Sequence, residues 1–213
     1  MSKEKIKKAL TVANILSQKI KRVLFKESFF EAFRCPQNKG VWFVWGSSGS
    51  GKSTFLMQLA KEFARCGLNV FYNLLEEETD DSDFIERTEL VGMGDVKDKY
   101  LAGSYNYDQL CEYLDRRGSQ EVVVIDSGTY FFKSFDQYLD FKKKYKNKII
   151  IISGHAQGSN PRSELEKSIM FDAKQKVFVS GYLAACKGRT IGPNGGLFII
   201  WNEGYEKLRG SQE

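Results

Sequence analysis

Eight consecutive residues, Gly46-Ser47-Ser48-Gly49-Ser50-Gly51-Lys52-Ser53, follow the spacing G-x-x-x-x-G-K-[ST]. That pattern suits one kind of chemistry. A polyphosphate needs backbone N–H donors that converge, and residues without side chains let a loop close around it. Gly46, Gly49 and Gly51 are expected to allow that curl. Lys52 is placed to reach β- and γ-phosphates, and the Ser53 hydroxyl to ligate Mg²⁺. The flanks agree with this reading. Val41-Trp42-Phe43-Val44-Trp45 reads as a buried strand, and the run from Thr54 to Ala60 as a helix whose N-terminus adds its positive dipole end.

Further residues could complete such a site. Asp126 ends the apolar run Glu121-Val122-Val123-Val124-Ile125-Asp126. A carboxylate at the carboxyl end of a buried strand faces the crevice where open α/β sheets bind ligands, so Asp126 is read as the metal-side group. Glu76 closes a strand over 69–75 and is expected next to the phosphate loop, where a carboxylate can polarise the attacking water; Glu77 and Glu78 compete for the role. His155, the only histidine, follows the apolar strand 148–153. It is read as a γ-phosphate sensor, against the alternative of a histidine bonded to backbone. Lys187 and Arg189, one residue apart, share a side of an extended chain and could serve a developing phosphoryl charge; a plain surface pair is the competing reading. Lys52 apart, no other cation is expected at a sheet end.

These groups need a scaffold, and strands alternating with helices supply one. Strands are expected at 41–45, 69–75, 98–101, 121–126 and 148–153, with helices to about Arg65 and near 82–91, 107–116 and 135–146. This alternation implies a mostly parallel central sheet flanked by helices, with right-handed crossovers. After a polar loop at 156–162 and a short helix to about Phe171, strands near 175–180, 182–187 and 196–201 are joined by tight turns, as antiparallel C-terminal strands are. Upstream, Ile6, Ala9, Ala13, Leu16, Ile20 and Val23 recur at spacings of three and four, which predicts a helix over 3–24. Ser28 is expected to cap a short helix to Phe33. The chain thus divides into a basic amphipathic helical segment, 1–37, and an ATPase-like domain, 38–213.

Composition sets the remaining bounds. The 213 residues carry a formal net charge of +5, with 42% apolar and 28% charged residues, as in an ordinary soluble domain. Residues 1–26 hold Lys3, Lys5, Lys7, Lys8, Lys19, Lys21, Arg22 and Lys26 against Glu4. A second basic run is Lys142-Lys143-Lys144 with Lys146 and Lys148. Either could meet nucleic acid, although such runs are more often solvated helix faces. No apolar run reaches the length of a membrane span, and Cys35, Cys66, Cys111 and Cys186 are scattered, as reduced thiols of a cytoplasmic protein would be.

The order of these pieces resembles the RecA-like P-loop ATPase core, closest to DnaB-type hexameric helicases and RadA/Sms repair ATPases, over about residues 38–208. Val70-Phe71-Tyr72-Asn73-Leu74-Leu75-Glu76 is similar to their second strand with its catalytic glutamate, and Val123-Val124-Ile125-Asp126-Ser127 to their Walker B segment. Ile151-Ile152-Ser153-Gly154-His155 resembles a strand ending in a phosphate sensor ahead of a DNA-facing loop, where Arg162 is the one cation. Lys187-Gly188-Arg189-Thr190-Ile191-Gly192-Pro193 resembles the K-x-R finger that acts on a neighbouring subunit. The resemblance implies an oligomer, ring or filament, that hydrolyses ATP with Mg²⁺ and acts on DNA, single-stranded by preference, in replication or recombination. It lacks the helical amino-terminal domain of DnaB, and the zinc element and protease-like tail of RadA. A small-molecule kinase or a nucleotide-dependent assembly or switch module remain the alternatives.

Overall fold

The computed structural model describes residues 8–188, 192 and 195–210, the side chains of 209 and 210 excepted. Its centre is strand β1 (Gly40–Gly46), buried on both faces. Trp42 and Val44 point into one core with helix α3 (Lys52–Arg65), while Val41, Phe43 and Trp45 point into the other. Two covered faces explain why the strand has no polar alternation.

β1 lies between β5 (Ile149–Gln157) and β7 (Gln175–Ser180), parallel to both. Beyond β5 come β4 (Val122–Asp126), β2 (Val70–Leu74) and β3 (Tyr100–Gly103), all parallel. Beyond β7 the direction reverses into β8 (Leu183–Cys186) and β9 (Leu197–Ile199). The expected fold, a mostly parallel sheet with antiparallel C-terminal strands, is the one observed. On the face away from α3, the second core is covered by α5 (Tyr107–Asp115), α7 (Phe135–Lys144) and α8 (Glu164–Asp172). α4 (Ser82–Leu90) follows β2, a short α6 (Gly128–Phe131) follows β4, and α9 (Asn202–Gly210) follows β9.

Three expectations need correction. The helix over 3–24 is reduced among the described residues to α1 (Val12–Leu16), capped by Thr11, which accepts a hydrogen bond from the Asn14 N–H. None of its residues is buried, and a short helix with no packed face does not propagate. Residues 21–26 run extended instead: Val23 and Phe25 turn inward, Leu24 and Lys26 outward, and Arg22 bridges to Gln37. Second, Ser28 caps nothing, because α2 (Glu27–Phe33) begins one residue earlier, behind Lys26. Its Phe29 and Phe33, with Phe25, pack against Trp42, Phe63 and Phe198. Third, the polar loop at 156–162 is largely a hairpin, since β5 continues to Gln157 and pairs with β6 (Asn160–Pro161).

The second basic run closes α7, where cations oppose the helix's negative end. Lys142 pairs with Asp172 and Lys144 with Asp115, both at 2.6 Å, and Lys148 donates to the Ser119 and Gln120 carbonyls.

Candidate functional site

The turn from β1 into α3 forms the floor of a cleft of about 480 Å³ at the carboxyl ends of the parallel strands, lined by Ser47–Gly49, Gly51–Thr54, Glu76, Asp83, Arg87, His155 and Tyr182. Gly49 and Gly51 have φ of 72° and 93°, the left-handed region that favours glycine, and Gly51 starts α3. Gly46 serves differently from expectation: it does not curl the loop but admits a close approach. A Cβ there would stand 2.5 Å from the Val179 carbonyl and 2.8 Å from Ser50 Oγ. The loop is braced from the β7–β8 turn, where the Tyr182 N–H donates to the Ser50 carbonyl at 3.0 Å. Tyr182 itself has φ 58°, and its ring meets Trp201 edge-on at 5.0 Å.

Lys52 is buried and its Nζ lies 3.6 Å from Asp126 Oδ1. Asp126 is held from two neighbouring strands. Tyr72 OH on β2 donates to Oδ2 at 2.8 Å, and Ser153 Oγ on β5 donates to Oδ1. Burial, then the nearby Asp126 charge, pushes the Tyr72 phenol well above its ordinary value, so it stays a donor. With both oxygens engaged, the Asp126 carboxylate is fixed in orientation beside Lys52.

Glu76 does lie on the cleft, but not for the reason expected. β2 is not the neighbour of β1, because β4 and β5 stand between them. The loop past the end of β2 carries Glu76 across to β5, where Oε1 sits 2.9 Å from His155 Nε2. His155 is the register partner of Gly46, so the sensor candidate stands beside the first glycine of the loop. Glu77 turns the other way and pairs with Arg87 on α4. Arg87, a cation that the sequence reading did not name, lines the cleft from helix α4. Burial works against its charge, but the Glu77 hydrogen bond and charge outweigh that and hold its pKa above the ordinary value.

Glu166 fixes the geometry from behind. This fully buried carboxylate accepts from Thr129 Oγ1 at 2.7 Å and the His155 N–H at 2.9 Å through Oε1. Oε2 accepts from the Ser163 N–H at 2.9 Å and Ser163 Oγ at 3.1 Å. Burial alone would raise its pKa; these four bonds reverse the sign and lower it.

Lys187 is not part of this cleft. It is exposed just past β8, and its N–H donates to the Lys176 carbonyl, back along the sheet from the loop. Arg189 lies outside the described residues. Arg87, Tyr72, Ser153, Glu166 and Tyr182 escaped the sequence reading; only Glu166 left a local signal, the capping box Ser163-x-x-Glu166. The larger cavity, about 700 Å³ between residues 22–29 and the end of α3, is far from this chemistry.

No protein-family model matches the chain, and no curated protein matches it in sequence. Solved structures do. The flagellar accessory protein FlaH of Methanocaldococcus jannaschii aligns with TM-score 0.58 and 16% identity, over 82% of this chain and 90% of that one. The KaiC-like protein PH0186 of Pyrococcus horikoshii OT3 aligns with TM-score 0.62 and 19% identity, over 85% of this chain and 99% of that one. The likeness shows the fold: a RecA-like core, its mostly parallel sheet flanked by helices and ended by antiparallel strands. Kinship with DnaB-type helicases or RadA/Sms ATPases is a finer reading.

Proposed function

We propose that this chain is an oligomeric, Mg²⁺-dependent ATPase that acts on DNA in replication or recombination, with ATP hydrolysed where subunits meet. One observation carries the ATPase reading: a single cleft is lined by the glycine loop, Lys52, Ser53, Glu76 and His155, with Asp126 buried behind it 3.6 Å from Lys52 Nζ.

The residues fit Mg²⁺. The Ser53 hydroxyl and the Asp126 carboxylate are hard oxygen donors, and among the described residues no cluster of three or more His, Cys, Asp or Glu forms an all-protein cage. That is the donor set of an ion shared with phosphate and water. When bound, Mg²⁺ would neutralise phosphate charge. The chain's own groups do the rest. The loop amides and Lys52 hold the phosphates, and the α3 N-terminus favours their charge. Glu76 takes a proton from water as its oxygen bonds to the γ-phosphorus and the bond to the β–γ bridging oxygen breaks, leaving ADP and phosphate. His155 holds the Glu76 carboxylate in place, and Glu166 holds the His155 backbone.

The shared site is the family-derived half of the proposal: Lys187 and Arg189 would serve a neighbour's ATP. Support for a DNA partner is electrostatic, since Lys8, Lys19, Lys21, Arg22, Lys26 and Arg162 are all exposed. The test is the ATPase rate with and without single-stranded DNA, beside a sizing profile with ATP. DNA stimulation and assembly support the motor; neither effect overturns it. A nucleotide-dependent assembly module is favoured by Val12, Ile15 and Leu16 of α1, exposed at 72%, 52% and 80%, which suit cover by another subunit. The kinase alternative expects an arginine-rich lid, but Arg162 is the only arginine between 127 and 170. Among the described residues no helix is long and apolar enough to cross a membrane.

A further inference from the structure

We infer that Arg87 reads the terminal phosphate from within the same subunit, exchanging Glu77 for a phosphate oxygen. This rests on the nucleotide reading of the cleft above. Four observations carry it. Arg87 lines the same cleft as Lys52, Glu76 and His155. Its side chain is only 16% exposed, so its charge is partly withdrawn from water. Its charge is felt by both Tyr72 and Asp126, which hold the Lys52 side of the site. Finally, Glu77 engages Nη2 while the buried Nε has no partner.

The last point separates this pair from a purely structural ion pair. A guanidinium presents Nε–H and Nη–H as a fork that matches two oxygens of a carboxylate or phosphate. Glu77 satisfies one prong and leaves the other orphaned in a buried place. A phosphate with several oxygens can take both prongs. The exchange is electrostatically reasonable because the terminal phosphate carries more charge than a carboxylate. It also gives the turn at 76–77 a double role. Glu76 holds His155 and Glu77 holds Arg87, so each of two consecutive carboxylates restrains one nitrogen group of the cleft. Drawing Arg87 away from Glu77 would report phosphate occupancy to α4, whose Phe84 ring lies 5.8 Å below the guanidinium carbon.

The experiment compares a slowly hydrolysed ATP analogue with ADP, by fluorescent-nucleotide titration of the full chain with Mg²⁺. Arg87→Ala should weaken the analogue by about 10–100-fold, the range of a charged hydrogen bond, and change ADP by less than about twofold. Arg87→Lys should not restore it, because an ammonium lacks the fork. Glu77→Gln removes the competing charge and should tighten the analogue several-fold; it decides the matter even where Arg87→Ala folds poorly by circular dichroism. Equal loss of both nucleotides, or loss of neither, in folded Arg87→Ala overturns the inference, as does an unchanged analogue affinity in Glu77→Gln. Lys52→Ala keeps the two levels apart. If wild type binds neither nucleotide, or Lys52→Ala binds both normally, the nucleotide reading itself fails.

Discussion

Replacing Glu166 by Gln should unpick the support of the site without touching it. Glutamine keeps an oxygen for Thr129 and the His155 N–H, but puts an NH₂ where Oε2 now accepts from the Ser163 N–H and hydroxyl. A buried donor left unsatisfied costs about 1–3 kcal/mol; the Ser163 hydroxyl can rotate away, so the Ser163 N–H sets a cost of about 1–3 kcal/mol. For a chain of this size 1 kcal/mol moves Tm by about 2–4 °C, so the variant should melt about 2–12 °C below wild type at pH 7. The sign of the pH dependence follows from the lowered pKa of Glu166. Its stabilisation is complete above the unfolded value of about 4.3 and is lost as pH falls through the lower folded value. Melting by circular dichroism from pH 7 to pH 3 should therefore show a gap that is full at pH 6–7 and narrows below about pH 4. A gap under about 2 °C at pH 7, or one that does not change with pH, refutes the reasoning.

Glu62 should behave in the opposite sense. Burial raises its pKa, so its ionised form weakens the fold as pH rises, and Glu62→Gln should raise Tm at pH 7 with a gain that vanishes below about pH 4. Gln can still accept from the Lys26 N–H; a lower Tm at pH 7 would count against this. Gly46→Ala should abolish nucleotide binding while the chain stays folded, since the added carbon meets the Val179 carbonyl and must displace the loop; normal binding by titration would show that the loop tolerates the shift. For the shared site, Arg189→Ala and Lys52→Ala proteins should each be inactive and regain partial ATPase activity when mixed. Two co-assembled but inactive proteins would speak against sharing.

The strands were legible because burial on both faces leaves unbroken apolar runs such as Val122–Ile125. The glycine loop was legible because its chemistry is local. What escaped depends on tertiary return. Nothing in Ser82–Leu90 announces that its Arg87 comes back to a cleft whose floor is the loop from Ser47. Tyr72 and Ser153 look like ordinary strand residues until the strand order puts β2 and β5 on either side of Asp126. The amino-terminal stripe misled for the converse reason: its period was helical, but among the described residues nothing buries α1, while the inward Val23 and Phe25 obey a period of two.

The central claim is that Glu76 activates water in a cleft that holds ATP by other groups. The direct measurement is ATP titration and single-turnover hydrolysis on Glu76→Gln and Glu77→Gln side by side. Glu76→Gln should bind ATP within about threefold of wild type and hydrolyse it at least about 100-fold more slowly, as loss of a general base does. Wild-type turnover in Glu76→Gln, or the loss of turnover appearing in Glu77→Gln instead, would contradict the account.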